Sequence, residues 1–295
     1  MSRREKSGLA DVTVARAGAR PPLSERAVRQ RQDRPCRASE DARMSIDETP
    51  RVRVNPPIFN VPGVVLAALV VFIAIQAIRS FVLSVETDDW LITEFSFVAG
   101  CYAENCTAQF GRDAGAQLWS PLTYAFLHGD WMHVGLNAIW MLAFGTPVAR
   151  RLGTMRVLAF AALGAIAGAL TFYVFNPDLI VPVIGASGIV SALMGGACRF
   201  AFGSTGHHRL ARSLPLLSIR QALSDRTVIF FVVIFFATNL LTASGLGGFI
   251  DGGASVAWQA HLGGFVFGFL GLALFEPNRR QPMPADEDDL RSAAD

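Results

Sequence analysis

Six stretches of the chain are apolar over roughly 20 residues each, the length at which an α-helix crosses a hydrocarbon core of about 30 Å. They run approximately over residues 62–83, 131–147 (extended upstream by 118–127), 157–175, 182–202, 227–243 and 256–275. Polar loops separate them. The second run is the least regular, because His133 and Asn137 interrupt it. This pattern predicts an all-α membrane protein built as a bundle of six transmembrane helices.

The loops supply the orientation. Arg51 and Arg53 precede the first run, and Arg150, Arg151 and Arg156 lie between the second and third. Arg209, Arg212, Arg220 and Arg226 lie between the fourth and fifth, and Arg279 and Arg280 follow the sixth. The alternate loops are poor in basic residues: 86–113 is acidic apart from Arg112, and the other two hold only Asp178 and Asp251. Basic loops stay on the cytoplasmic side, so both termini are expected there, in a bacterial inner (plasma) membrane.

Composition agrees. Of the 295 residues, 52% are hydrophobic and 17% charged, against about 25% charged in soluble domains. The net charge of +2 hides an uneven distribution, since 13 of the 26 basic residues lie in the first 53 positions. All of the 26 but Lys6 are arginine. An Arg excess of this kind reads as a GC-rich coding bias, so no nucleic-acid binding follows from it.

Residues 1–57 form an Arg-rich cytoplasmic segment without apolar periodicity, expected to be disordered. No apolar stretch follows the first charges within signal-peptide reach, and Glu5, Asp11, Glu25 and Asp33 argue against a transit peptide. Met44 is an alternative start. Residues 58–277 are the six-span domain, and 278–295 a cytoplasmic tail.

The long outer loop, 84–127, carries Trp90, Phe95, Phe97, Phe110 and Trp119, rings suited to the membrane interface. It also carries Cys101 and Cys106. A disulfide is permitted on the outer side, and two free thiols fit equally well. Cys36 and Cys198 fall where pairing is not expected.

The chemistry gathers at span ends. Ionisable side chains inside a membrane are costly and usually functional, which singles out His128, His133 and His261 but not the loop residues His207 and His208. Ser187 sits in Gly185-Ala186-Ser187-Gly188 at the outer end of the fourth run. Serine in a membrane helix is commonplace, yet the flanking glycines strip bulk from around its hydroxyl. Ser191, Ala192 and Gly195 extend a small-residue face that lets a neighbouring helix approach. On the sixth run, His261, Gly264 and Gly268 fall on one face. A serine and a histidine on two smooth faces make a dyad, in which neutral imidazole takes the hydroxyl proton. No acidic residue inside a span completes a triad. His133 and Asn137, at i and i+4, share a face and can donate to a developing oxyanion. For His128, the better reading is a tie between the loop and a helix end.

Trp119, Thr123, Phe126-Leu127-His128, His133 and Asn137, then Gly185-Ala186-Ser187-Gly188, then Ala260-His261 with Gly264 and Gly268, resemble the signature of rhomboid intramembrane proteases. The resemblance implies a serine endopeptidase that cleaves transmembrane proteins in or near the bilayer. It implies Ser187 as nucleophile, His261 as general base, and His133, Asn137 and the Ser187 amide as oxyanion hole. No cofactor and no metal is implied. The sequence departs from the family at Ser120, where Arg is frequent, at Ala149, where Glu is frequent, and at Ser191, where some members place Tyr. The alternatives are a rhomboid-like protein that binds membrane clients without cutting them, a metal site of His128, His133 and His261, and a small transporter. The metal site lacks a His-x-x-x-His pair and a carboxylate at ligand spacing, and the two halves lack the matching broken segments of a transporter.

Overall fold

Several of the helices begin at a capping side chain, a glycine or a proline. The computed structural model describes residues 61–102, 111–113, 115–202, 214–244 and 257–276, all within one unit, Pro56–Asp295. The expectations for residues 1–57 and 278–295, for Cys36, Cys106, His207 and His208, and for the loop charges Arg51, Arg53, Arg209, Arg212, Asp251, Arg279 and Arg280 lie outside the described residues.

The first apolar run becomes α1 (Gly63–Phe81), entered from Pro62. In the outer loop, α2 (Val85–Phe95) is capped by the Ser84 hydroxyl, which accepts from the Thr87 amide. Glu86 and Asp88 stand in its first turn, at the positive end of the helix dipole. α3 (Ala116–Thr123) leads through a 3-10 turn, Tyr124–Phe126, to Leu127.

The second run is not one helix with its upstream extension. The chain is extended at Leu127 and restarts as α4 (Trp131–Leu152), where the Asp130 carboxylate accepts from the His133 amide at 2.7 Å. An N-cap needs extended backbone, so the polar run His128-Gly129-Asp130 splits the segment. α4 also continues past Pro147 to Leu152. Proline has no amide, and its ring crowds the carbonyl four residues back; a π-helical turn, Met141–Gly145, accommodates it.

Gly153, at φ 81°, ends α4, and α5 (Thr154–Phe175) follows directly. The fourth run is helical over a shorter length than its apolar residues predict. Its entry is pinned as extended chain: Phe97 and Val183 exchange backbone hydrogen bonds of 3.0 and 2.8 Å, and the Gly185 amide donates to the Tyr124 carbonyl at 2.9 Å. α6 (Ser187–Ala197) has 11 residues, a rise of about 16 Å. Its residues after Ser187 are all buried, so it is enclosed by protein and need not match the bilayer. α7 (Ile219–Ala222), α8 (Arg226–Ala243) and α9 (Trp258–Gly271) follow, the last prolonged by a 3-10 turn to Phe275.

Among the described residues, four segments are long and apolar enough to cross a membrane: α1, α4, α5 and Trp258–Phe275. The apolar stretches of α6 and α8 are shorter. Among the described residues there is no strand, only the Phe97–Val183 bridge. Val70 and Phe81 of α1, Leu158 and Leu170 of α5, and Phe230 and Leu240 of α8 are exposed, as a bilayer solvent requires. The described residues are those of a helical integral membrane protein.

The outer loop is held to the bundle by polar side chains. Arg79 pairs with Asp88 at 2.6 Å and donates to the His128 carbonyl. Trp119 donates to the Glu94 carbonyl, and Thr123 to that of Phe95. Ser120, where an arginine is frequent in the resembling family, is fully buried against the Tyr102 hydroxyl at 2.9 Å. Cys101 is disulfide-bonded. Near the other end of the bundle, Arg151 pairs with Glu276 and covers the Phe200 ring at 4.5 Å, two residues after Ala149.

Candidate active site

The site forms where the starts of α4, α6 and α9 converge. Asp130 caps α4 and so places His133 in its first turn. The His133 Nδ1 accepts from the Gly129 amide at 3.4 Å, which leaves the proton on Nε2. That Nε2 points at Gly185: a Cβ there would sit 2.6 Å from it, and 3.7 Å from the Ser187 Oγ. Gly185 also adopts φ 125°, a conformation open to glycine. Backbone and space both exclude a side chain at 185, and the vacancy brings the His133 ring beside the Ser187 hydroxyl.

Ser187 is the first residue of α6 and half-buried. Amides in a first turn have no intrahelical acceptor. Behind it, a Cβ on Gly188 would sit 2.6 Å from the Tyr124 hydroxyl, which donates to the Ala165 carbonyl at 2.9 Å. Tyr124 therefore holds Gly185 through its carbonyl and leaves no room for a side chain at 188 through its hydroxyl. Nothing in the hydropathy pattern singled it out.

Asn137 is buried one turn beyond His133 and donates one amide hydrogen to the His133 carbonyl at 3.0 Å; the group carries a second. His128 is fully buried, accepts from the Ala186 amide at Nε2 (3.4 Å) and meets the His133 ring edge-on at 5.0 Å. Burial, with the charge that His133 and Arg79 would add, pushes its pKa down to about 3. It is a neutral strut beneath the residue that precedes Ser187.

His261 stands in the first turn of α9. Three residues on, a Cβ on Gly264 would collide with the Gly188 carbonyl, and one on Gly268 with that of Ala192. α9 and α6 therefore touch backbone to backbone, with Ser191 lodged beside Gly264. The His261 Nδ1 lies 2.6 Å from the Asn239 Oδ1 of α8, and His133 is within electrostatic range of the ring. Among the described residues, Ser187 and His261 do not hydrogen-bond each other; such bonds often close only around substrate. Asn239 was missed in the sequence. An amide inside the fifth apolar run was the available signal. Among the described residues, no group of three or more His, Cys, Asp or Glu is disposed to hold a metal ion.

A family model described as Rhomboid domain matches residues 115–277. Rhomboid protease GlpG of Serratia proteamaculans (strain 568) is 29% identical over 164 residues, 56% of this chain and 50% of that protein. GlpG of Yersinia pestis (strain Pestoides F) is 27% identical over 154 residues, 52% of this chain and 47% of that protein. Rhomboid-related protein 3 of Homo sapiens is 39% identical over 79 residues, 27% of this chain and 19% of that protein. The chain thus spans half or less of the length of these curated relatives.

Proposed function

From the premise that this chain belongs to the rhomboid family, we propose that it is an intramembrane serine endopeptidase acting on transmembrane proteins. In this reading the bundle has six spans, α6 and α8 completing the four longer ones, with both termini cytoplasmic in a bacterial inner membrane. Residues 58–277 are the protease domain.

Ser187 Oγ attacks the scissile carbonyl while the neutral His261 ring takes its proton at Nε2. The oxyanion meets the Ser187 amide, the His133 Nε2–H and the second amide hydrogen of Asn137. His261 then gives its proton to the leaving amine, and water releases the acyl group by the reverse sequence. The observation that carries the reading is the Ser187 hydroxyl at the mouth of α6, with the His133 Nε2 brought beside it by Gly185. The glycine contact of Gly188 with Gly264, one turn from His261, supports the pairing with the base.

The test is a serine-directed fluorophosphonate together with a model transmembrane substrate, in detergent. The wild-type chain should label and cleave; Ser187→Ala should do neither while melting normally. An unlabelled, inactive but folded wild type would favour a rhomboid-like protein that binds membrane clients without cutting them.

A further inference from the structure

His261 has a partner on the side of its ring away from Nε2, and that partner is neutral. We propose that Asn239 is a positioning residue that sets the tautomer of His261, an inference that rests on reading His261 as the base. The amide's own orientation decides the matter. Its Nδ2 donates to the Phe235 carbonyl at 2.7 Å, and a carbonyl can only accept. The nitrogen must therefore face Phe235, which turns the oxygen, another obligate acceptor, to the ring. With Oδ1 at 2.6 Å, Nδ1 carries the imidazole proton and Nε2 keeps its lone pair for the Ser187 hydroxyl.

The contact is built into the helix pair. One turn before Asn239 and one turn after His261, Phe235 and Phe265 stack with centroids 4.6 Å apart at 24°, and Phe236 meets Phe265 edge-on at 5.6 Å. These rings fix the register of α8 on α9. A triad places a carboxylate in this position, where it also stabilises the imidazolium. Inside an apolar span a carboxylate is costly, and the amide sets the tautomer without adding a charge.

The experiment compares wild type with Asn239→Leu and Asn239→Asp. Nitrogen NMR of histidine-labelled protein, with the His261 signal assigned by its loss in His261→Gln, should show Nδ1 protonated in wild type and a tautomer mixture in Asn239→Leu. Asn239→Leu should lower kcat about 10–100-fold or more, by analogy with loss of the hydrogen-bond partner behind a metal-bound histidine and of the orienting group in a triad, with KM unchanged. Asn239→Asp should move the acid limb of its own pH profile upward, because a carboxylate favours the imidazolium. His133 of α4 is the titratable group in electrostatic range of the ring among the described residues; it is common to all three proteins, so the difference between profiles reads position 239. An Nε2-protonated wild type, or an Asn239→Leu protein with unchanged spectrum and rate, overturns the proposal. An inactive wild type overturns the protease reading instead, and the NMR result still decides the role of Asn239.

Discussion

The Gly188 carbonyl faces Gly264 across α6 and α9 with no room for a methyl group between them. The clash would be with backbone, which cannot swing aside. Gly264→Ala should therefore part the two helices beside Ser187 and His261. Overpacking of this kind costs about 1–3 kcal/mol, read as a lower melting midpoint in detergent. Cleavage should fall further than the melt implies, because the separation is at the site. Gly135→Ala, within α4 where a Cβ meets nothing within 4 Å, is the control: it should not lower the melting midpoint, since alanine favours the helix over glycine, and should leave cleavage unchanged.

The donors separate from the nucleophile. Removing one oxyanion donor costs roughly 10²–10³ in rate in comparable sites. His133→Ala and Asn137→Ala should each lose about that much in initial cleavage rate and still exceed Ser187→Ala. Normal melts with wild-type rates in both would make these residues structural.

Acid should destabilise the protein through His128. Its folded pKa is depressed from 6.5 to about 3, so the unfolded chain takes up a proton that the native state refuses. Stability present above pH 6.5 is lost progressively as pH falls towards 3. The wild-type melting midpoint should drop over that window. His128→Gln should melt lower at pH 8 and decline less on acidification. Parallel curves for the two proteins would remove His128 as the cause.

Cys101 should resist alkylation. Its disulfide predicts that a maleimide added to unreduced membranes leaves it unmodified, and that reduction exposes it, as peptide mass mapping would show. Labelling before reduction contradicts the bond.

Much of the fold was legible because the bilayer imposes a length rule that local sequence must meet. α1 and α5 lie within two and three residues of their apolar runs. Where polarity changed abruptly, the reading by length went astray. His128-Gly129-Asp130 breaks the upstream extension because a capped helix start needs extended backbone, and Pro147 fails to stop α4 because a π-turn accommodates it.

By itself, the sequence determined which stretches are apolar enough for lipid, and which serine, histidines and glycines stand out against them as candidate chemistry. Tertiary structure alone decided that α6 is short and enclosed, that Tyr124 holds Gly185 and leaves no room for a side chain at 188, and that Asn239 holds His261. The reason is physical. A uniformly apolar helix carries no periodic stripe to say which face meets which neighbour, and lipid offers no hydrophobic preference between faces. Asn239 and His261 are 22 residues apart, and they meet only because close backbone contacts and stacked rings set the register of their helices.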